Sequence, residues 1–237
     1  MPDTTIDLEK MTEAMLTSFA GLSALVGTDE MKVGLEGARQ LATTGQPTTA
    51  AHIAAALGLP EKRVEDLLDT FADTGFAFRD EDGSVLAMCC LTVPGTAVPG
   101  TAVPGTPHRV TIKARGGPTV YAWCALDTLY LSYMFDVPVR VWSICPITRR
   151  SISCIIKPDG TVLGATPSEA VLSVLIPHGP ITKDVRSSFC HYVTFFADEE
   201  TGRAWADKQT VTITFLGLAE AAVWTKQHYE RLFCPSP

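Results

Sequence analysis

The chain predicts an α+β fold, in which an N-terminal winged-helix-like helical domain precedes a mixed α/β domain with an antiparallel sheet. Three observations carry this. Apolar residues recur at helical spacing through the first third, and short β-branched runs between turn signals fill the second half. Between them, residues 93–107 repeat Val-Pro-Gly-Thr three times, with each Pro-Gly suited to the centre of a type II turn. The expected division is therefore residues 1–90, a helix-turn-helix-like domain; 91–108, a repeat linker; and 109–237, an α+β domain.

Residues 7–43 carry Leu8, Met11, Met15 and Phe19, then Val33, Leu35, Ala38, Leu41 and Ala42, at helical spacing. Gly45-Gln46-Pro47 breaks this run. A second helix over Thr48–Leu57 stops at Gly58, and a third starts at Pro60 with Val64, Leu67, Leu68 and Phe71 on one stripe. Phe76–Arg79 and Ser84–Cys90 flank the turn Asp80-Glu81-Asp82-Gly83 and complete a helix-turn-helix with a hairpin. The third helix sets Lys62 and Arg63 against Glu61, Glu65, Asp66, Asp69 and Asp73, a face that a phosphate-lined groove would repel. This unit reads as a packing module.

In the second half, Val110–Ile112 and Thr119–Tyr121 flank Gly116-Gly117-Pro118 as a hairpin. A helix runs from near Cys124 to about Met134. Val137–Ile144, Ser151–Ile156, Ala170–Ile176 and Phe189–Ala197 read as strands, and Glu199–Lys208 and Leu216–Phe233 as closing helices.

The net charge of −7 argues against a large nucleic-acid footprint. No apolar run approaches the ~18 residues of a membrane span, and the N-terminal residues lack the pattern of a secretory signal. A cytoplasmic protein is expected. Seven cysteines, an odd number with no CxxC spacing, favour free thiols over disulfides or zinc ribbons. Cys89 and Cys90 are adjacent, and neighbouring strand residues face opposite sides, so the pair reads as core filler.

Cys124 and Asp127 lie three apart at a helix start, which places thiol and carboxyl on one face, with Cβ atoms roughly 5–6 Å apart. The helix dipole should lower the Cys124 pKa, while apolar neighbours raise that of Asp127 and let it carry a proton near neutrality. Cys190 could add a second thiolate for a soft metal. The bland readings stay open on these residues alone: an isolated cysteine as buried filler, and Asp127 as an acid stabilising its own helix. Of the five histidines, none is singled out as a partner for a nucleophilic cysteine. His191, next to Cys190 on an expected strand, would point away from it.

The runs Tyr121-Ala122-Trp123-Cys124-Ala125-Leu126-Asp127-Thr128-Leu129 and Asp184-Val185-Arg186-Ser187-Ser188-Phe189-Cys190-His191-Tyr192-Val193-Thr194-Phe195-Phe196-Ala197 resemble the organomercurial (alkylmercury) lyase family of bacterial mercury resistance. The similarity extends over most of the chain. The resemblance implies protonolysis of a carbon–mercury bond to a hydrocarbon and mercury(II), with Cys124 and Cys190 as mercury-binding thiols and Asp127 as the proton-handling group at the metal. It implies small organomercurial substrates, no cofactor, and cellular thiols or a mercuric reductase as acceptor of the product. Trp123, Leu126, Phe189 and Phe195 would supply apolar surroundings. The chain departs from the family pattern at His191, where some members carry a second cysteine, and the Val-Pro-Gly-Thr repeat reads as an insertion. Cys145 falls near a cysteine of relatives and reads as structural. The alternative is a non-catalytic, thiol-based soft-metal binding or sensor protein.

Overall fold

A break at Phe19 and a turn at Gly27 cut the long N-terminal apolar run into separate helices. The structure is a computed structural model that describes residues 7–94, 106–112, 116–181 and 185–233. Helix α1 (Leu8–Ser18) starts at Asp7, whose side chain accepts the Lys10 N–H, and α2 (Ala20–Ser23) is a single turn. Gly27 then takes φ +81°, a conformation that glycine adopts without strain. Thr28 caps α3 (Asp29–Thr44), which ends at Gly45 with φ +65°. The single helical stretch expected over 7–43 is thus three helices.

Helix α4 (Ala50–Leu57) lies between the Thr49 cap and Gly58, and α5 (Glu61–Asp73) starts after Pro60 and buries Val64, Leu67 and Leu68. Strands β1 (Ala77–Arg79) and β2 (Val85–Met88) follow as the expected hairpin. Arg79 reaches Glu65 at 2.7 Å and Asp69 at 2.9 Å, so the acidic face of α5 is partly neutralised from within the fold.

Next come β3 (Leu91–Thr92), β4 (Arg109–Ile112) and β5 (Thr119–Ala122), and β5 runs directly into α6 (Ala125–Phe135). Strands β6 (Val139–Ile144), β7 (Ser151–Ile156) and β8 (Val162–Thr166) complete an antiparallel sheet of order β1-β2-β3-β5-β4-β6-β7-β8. A second sheet has β9 (Val171–Leu175) between β10 (Phe195–Phe196) and β11 (Ile213–Gly217), again antiparallel. Helices α7 (Val185–Ser188), α8 (Glu199–Ala206) and α9 (Leu218–Phe233) and a 3₁₀ turn at Cys190–Tyr192 complete the described elements. None of the described helices is long and apolar enough to cross a membrane.

The larger sheet extends into the start of the expected 91–108 linker, because β3 pairs with β2 on one side and β5 on the other. Residues 95–105, most of the Val-Pro-Gly-Thr repeat, lie outside the described residues. One apolar core joins Met11 and Met15 of α1 to Leu126 and Leu129 of α6 and Trp224 of α9. There the Trp224 indole N–H donates to Thr12 Oγ1 at 2.9 Å, tying the two ends of the chain together.

Three expectations need correction. Phe189–Ala197 is not one strand: it holds the 3₁₀ turn and only two strand residues. Strand β8 escapes the sequence reading because its residues are mostly solvent-facing, so no buried alternation marks it. Strand β11 claims Leu216 and Gly217, so the last helix begins at Leu218.

The β4–β5 pair aims the chain at the Cys124 region, with Gly117 close against Ile112. A Cβ on Gly117 would sit 2.1 Å from the carbonyl oxygen of Ile112. Gly117→Ala is therefore expected to destabilise the fold by about 1–3 kcal/mol. Urea denaturation measures this, and an unchanged midpoint would contradict the packing described.

Candidate active site

The site is built at the junction where β5 becomes α6. Cys124 is the last extended residue (φ −141°, ψ 175°) and caps the helix. Its backbone N–H donates to Asp127 Oδ2 at 2.9 Å, while its sulfur faces the Asp127 backbone N–H in return. This is a capping box with a thiol in the place of a hydroxyl. The capping role and the candidate chemical role of Asp127 thus coexist, since one carboxylate oxygen takes the cap and the group still faces the thiols.

Cys190 arrives from the other block. It opens the 3₁₀ turn after α7, and that turn is fixed by the Ala125 N–H donating to the Val193 carbonyl at 3.1 Å. Ser173 of β9 adds a hydroxyl donated to the Tyr192 carbonyl at 2.8 Å. One backbone bond therefore joins the helix start carrying Cys124 to the turn carrying Cys190. The two sulfurs and a carboxylate oxygen of Asp127 lie within 4.8 Å of one another. No histidine belongs to this group, and His191 is exposed with its ring edge against Tyr192. His108 is buried elsewhere, with Nδ1 on Ser143 Oγ at 2.9 Å.

Burial dominates the electrostatics. Asp127 is half-buried, but what it faces is an apolar cavity, which raises its pKa from 3.8 to about 7 against the lowering effect of its bonds from Cys124. Cys124, 1% exposed, is pushed up as well, first by burial and then by its hydrogen bond to Cys190 and the Asp127 charge. This corrects the expectation that the helix dipole leaves Cys124 with a lowered pKa: loss of water outweighs the dipole. At Cys190 the hydrogen bond from Cys124 pulls downward, yet burial and the Asp127 charge together leave the net shift upward. Both thiols hold their protons at rest.

The cavity has a volume of about 140 Å³. Met15, Phe19, Trp123, Leu126, Met134 and Phe189 provide much of its apolar wall, and Asp127 and Cys190 open onto it. Cys124 lies beneath that wall. Of the expected apolar neighbours, Phe195 does not line the cavity and packs edge-on to His108 instead. A cavity of roughly 150 Å³ with such a lining takes up benzene, so aryl groups are within its range.

Sequence reasoning missed several residues of this cavity. Tyr130 stands three residues after Asp127 on α6, a spacing that could have revealed it, and its hydroxyl bonds to His228 Nδ1. Nothing in the sequence marks His228, which stacks on Trp224 and whose pKa burial lowers to about 4. Cys89 packs against the core as expected, but Cys89 and Cys90 are not strand residues. They form the two-residue turn between β2 and β3, with φ +44° and +74°, and both line the cavity. Cys145 is buried, with its sulfur accepting the Thr148 N–H at 3.5 Å in the β6–β7 connection, away from the site.

The sequence profile of the family described as "MerB: Alkylmercury lyase" matches residues 102–230. An alkylmercury lyase of Streptomyces lividans is 31% identical over 182 residues, covering 77% of this chain and 75% of its own length. One from Pseudomonas putida is 33% identical over 168 residues, covering 71% and 69%. A solved chain described as "Crystal structure of the mercury-bound form of MerB2" shares the fold with a TM-score of 0.67 at 19% identity, over 95% of this chain and 98% of that one.

The raised Asp127 pKa has a thermodynamic consequence. The folded chain holds this proton more tightly than the unfolded chain, so stability falls as pH rises from about 4 through about 7, where the carboxyl ionises inside the fold. Asp127→Asn removes the titration and should flatten that part of the stability–pH curve. Urea midpoints between about pH 5 and pH 8 measure it, and parallel curves for the two proteins would contradict the assignment.

Proposed function

Because this chain belongs to the alkylmercury lyase family, we propose that it cleaves the carbon–mercury bond of organomercurials by protonolysis, giving a hydrocarbon and mercury(II). The observation that carries the mechanism is the convergence of two thiols and one proton-holding carboxyl within 4.8 Å beside an apolar cavity. The organic group enters the cavity, and one thiol displaces the group X from R–Hg–X, its proton passing to Asp127 in its ionised form, which a pKa of about 7 leaves available at neutral pH. The second thiol adds to mercury and loses its proton to solvent. Two sulfur donors push electron density toward the carbon, and the carbon–mercury pair takes the proton from Asp127. In balance, R–Hg–X and two thiols give R–H, a mercury(II) dithiolate, X⁻ and one proton.

The raised proton affinity of Asp127 supports this reading over simple metal binding. A metal binder gains nothing from a carboxyl that holds a proton near neutrality, whereas a protonolysis site requires one. Mercury is substrate and product here, and external thiols or a mercuric reductase would accept it. The helix-turn-helix with its β1–β2 hairpin is a winged-helix-like packing module, in keeping with the Arg79 ion pairs on α5.

Phenylmercury with excess thiol should release benzene, detectable by gas chromatography; tight binding without benzene would leave a metal binder. Cys124→Ser and Cys190→Ser should each abolish turnover. Asp127→Asn keeps an oxygen that can accept the Cys124 N–H but cannot donate an acid proton. It should retain bound phenylmercury and lose about 10²–10⁴-fold in cleavage rate. Normal turnover in that variant would remove Asp127 from the proton path.

A further inference from the structure

Three of the seven cysteines, Cys89, Cys90 and Cys190, line this cavity, and of these the proposed reaction uses only Cys190, together with Cys124. Cys89 and Cys90 occupy both central positions of a two-residue hairpin turn in which Met88 pairs with Leu91. Positive φ at both places is the geometry that favours Asn and Gly. The turn is anchored to the site by backbone: the Trp123 N–H, one residue before Cys124, donates to the Cys90 carbonyl at 2.9 Å. Cys90 and Trp123 both line the cavity, as do Cys190 and Asp127. Cys89 lies farther in, its sulfur against Gly34 of α3.

Resting on the lyase reading above, we infer that Cys90 is a third mercury-handling thiol, which takes product mercury(II) from Cys124 and holds it with Cys190. Cys124 is buried and does not line the cavity, whereas Cys190 and Cys90 do, so the exchange moves the metal from a buried sulfur onto the cavity lining. The Cys90 S–H bond breaks and a Cys90 sulfur–mercury bond forms. The Cys124 sulfur–mercury bond breaks and Cys124 regains a proton. Mercury stays divalent and no oxidant or reductant is involved. Asp127, which opens onto the same cavity, carries the proton from Cys90 to Cys124. An external thiol then meets mercury on the cavity wall.

The test uses inorganic mercury(II), so it is independent of carbon–mercury cleavage, whose failure would show separately as absent benzene release. Cys124→Ser loaded with one equivalent of mercury(II) should still hold the metal by two protein sulfurs in X-ray absorption spectra. Adding C89N and C90G, which supply the turn residues this hairpin favours, should reduce that to one. C90S on the same background, with Cys89 retained, should do the same. In the protein with Cys124 intact, C89N/C90G should slow mercury removal by glutathione at least tenfold. Single-sulfur binding in Cys124→Ser alone, two sulfurs persisting without Cys90, or an unchanged removal rate would each overturn the inference.

Discussion

The hydrogen bond from the Cys124 backbone N–H to the Asp127 carboxylate holds the rest of the site in place. It ends β5, starts α6, and sets the carboxyl beside the thiol in one stroke. Because the junction lies at the edge of an apolar cavity, the same carboxylate is short of water and holds its proton to about pH 7. A cap in bulk solvent would be an ordinary ionised acid. Placed here it is a proton reservoir within reach of two sulfurs.

The second constraint is the Ala125–Val193 bond, which brings the distant Cys190 turn to the helix start. Around this pair the fold supplies dryness. α1 and α9 close over α6 with Met15, Phe19 and Leu232, while the β2–β3 turn contributes further sulfur. The N-terminal elements are therefore part of the cavity, and the helix-turn-helix segment shares its sheet with the strand that leads to Cys124.

Much of this was legible in the sequence. The capped helix α4, helix α5 after Pro60, the β1–β2 and β4–β5 hairpins, and the start of α6 follow from local turn and cap chemistry, which acts within a few residues. The three candidate site residues are legible through the two blocks around Cys124 and Cys190, and only as a resemblance, since spacing alone cannot bring residues 124 and 190 together. What failed were inferences in which tertiary context overrides local pattern. A 3₁₀ turn replaced the expected strand at Cys190, because Ser173 and Ala125 pull the backbone of that segment into their own hydrogen bonds. The Cys124 pKa was expected to fall with the helix dipole, and burial, invisible in sequence, reversed it. Cys89 and Cys90 were misplaced because an apolar run reads as strand, while the sheet requires a two-residue reversal at that point.

The central claim is that the protein supplies both thiols and the proton from one preassembled site. The most direct measurement is a single turnover with reduced protein, equimolar phenylmercury and no external thiol. The account predicts close to one benzene per chain, with mercury left on the protein. Phenylmercury bound intact, with benzene appearing only after thiol is added, would contradict it.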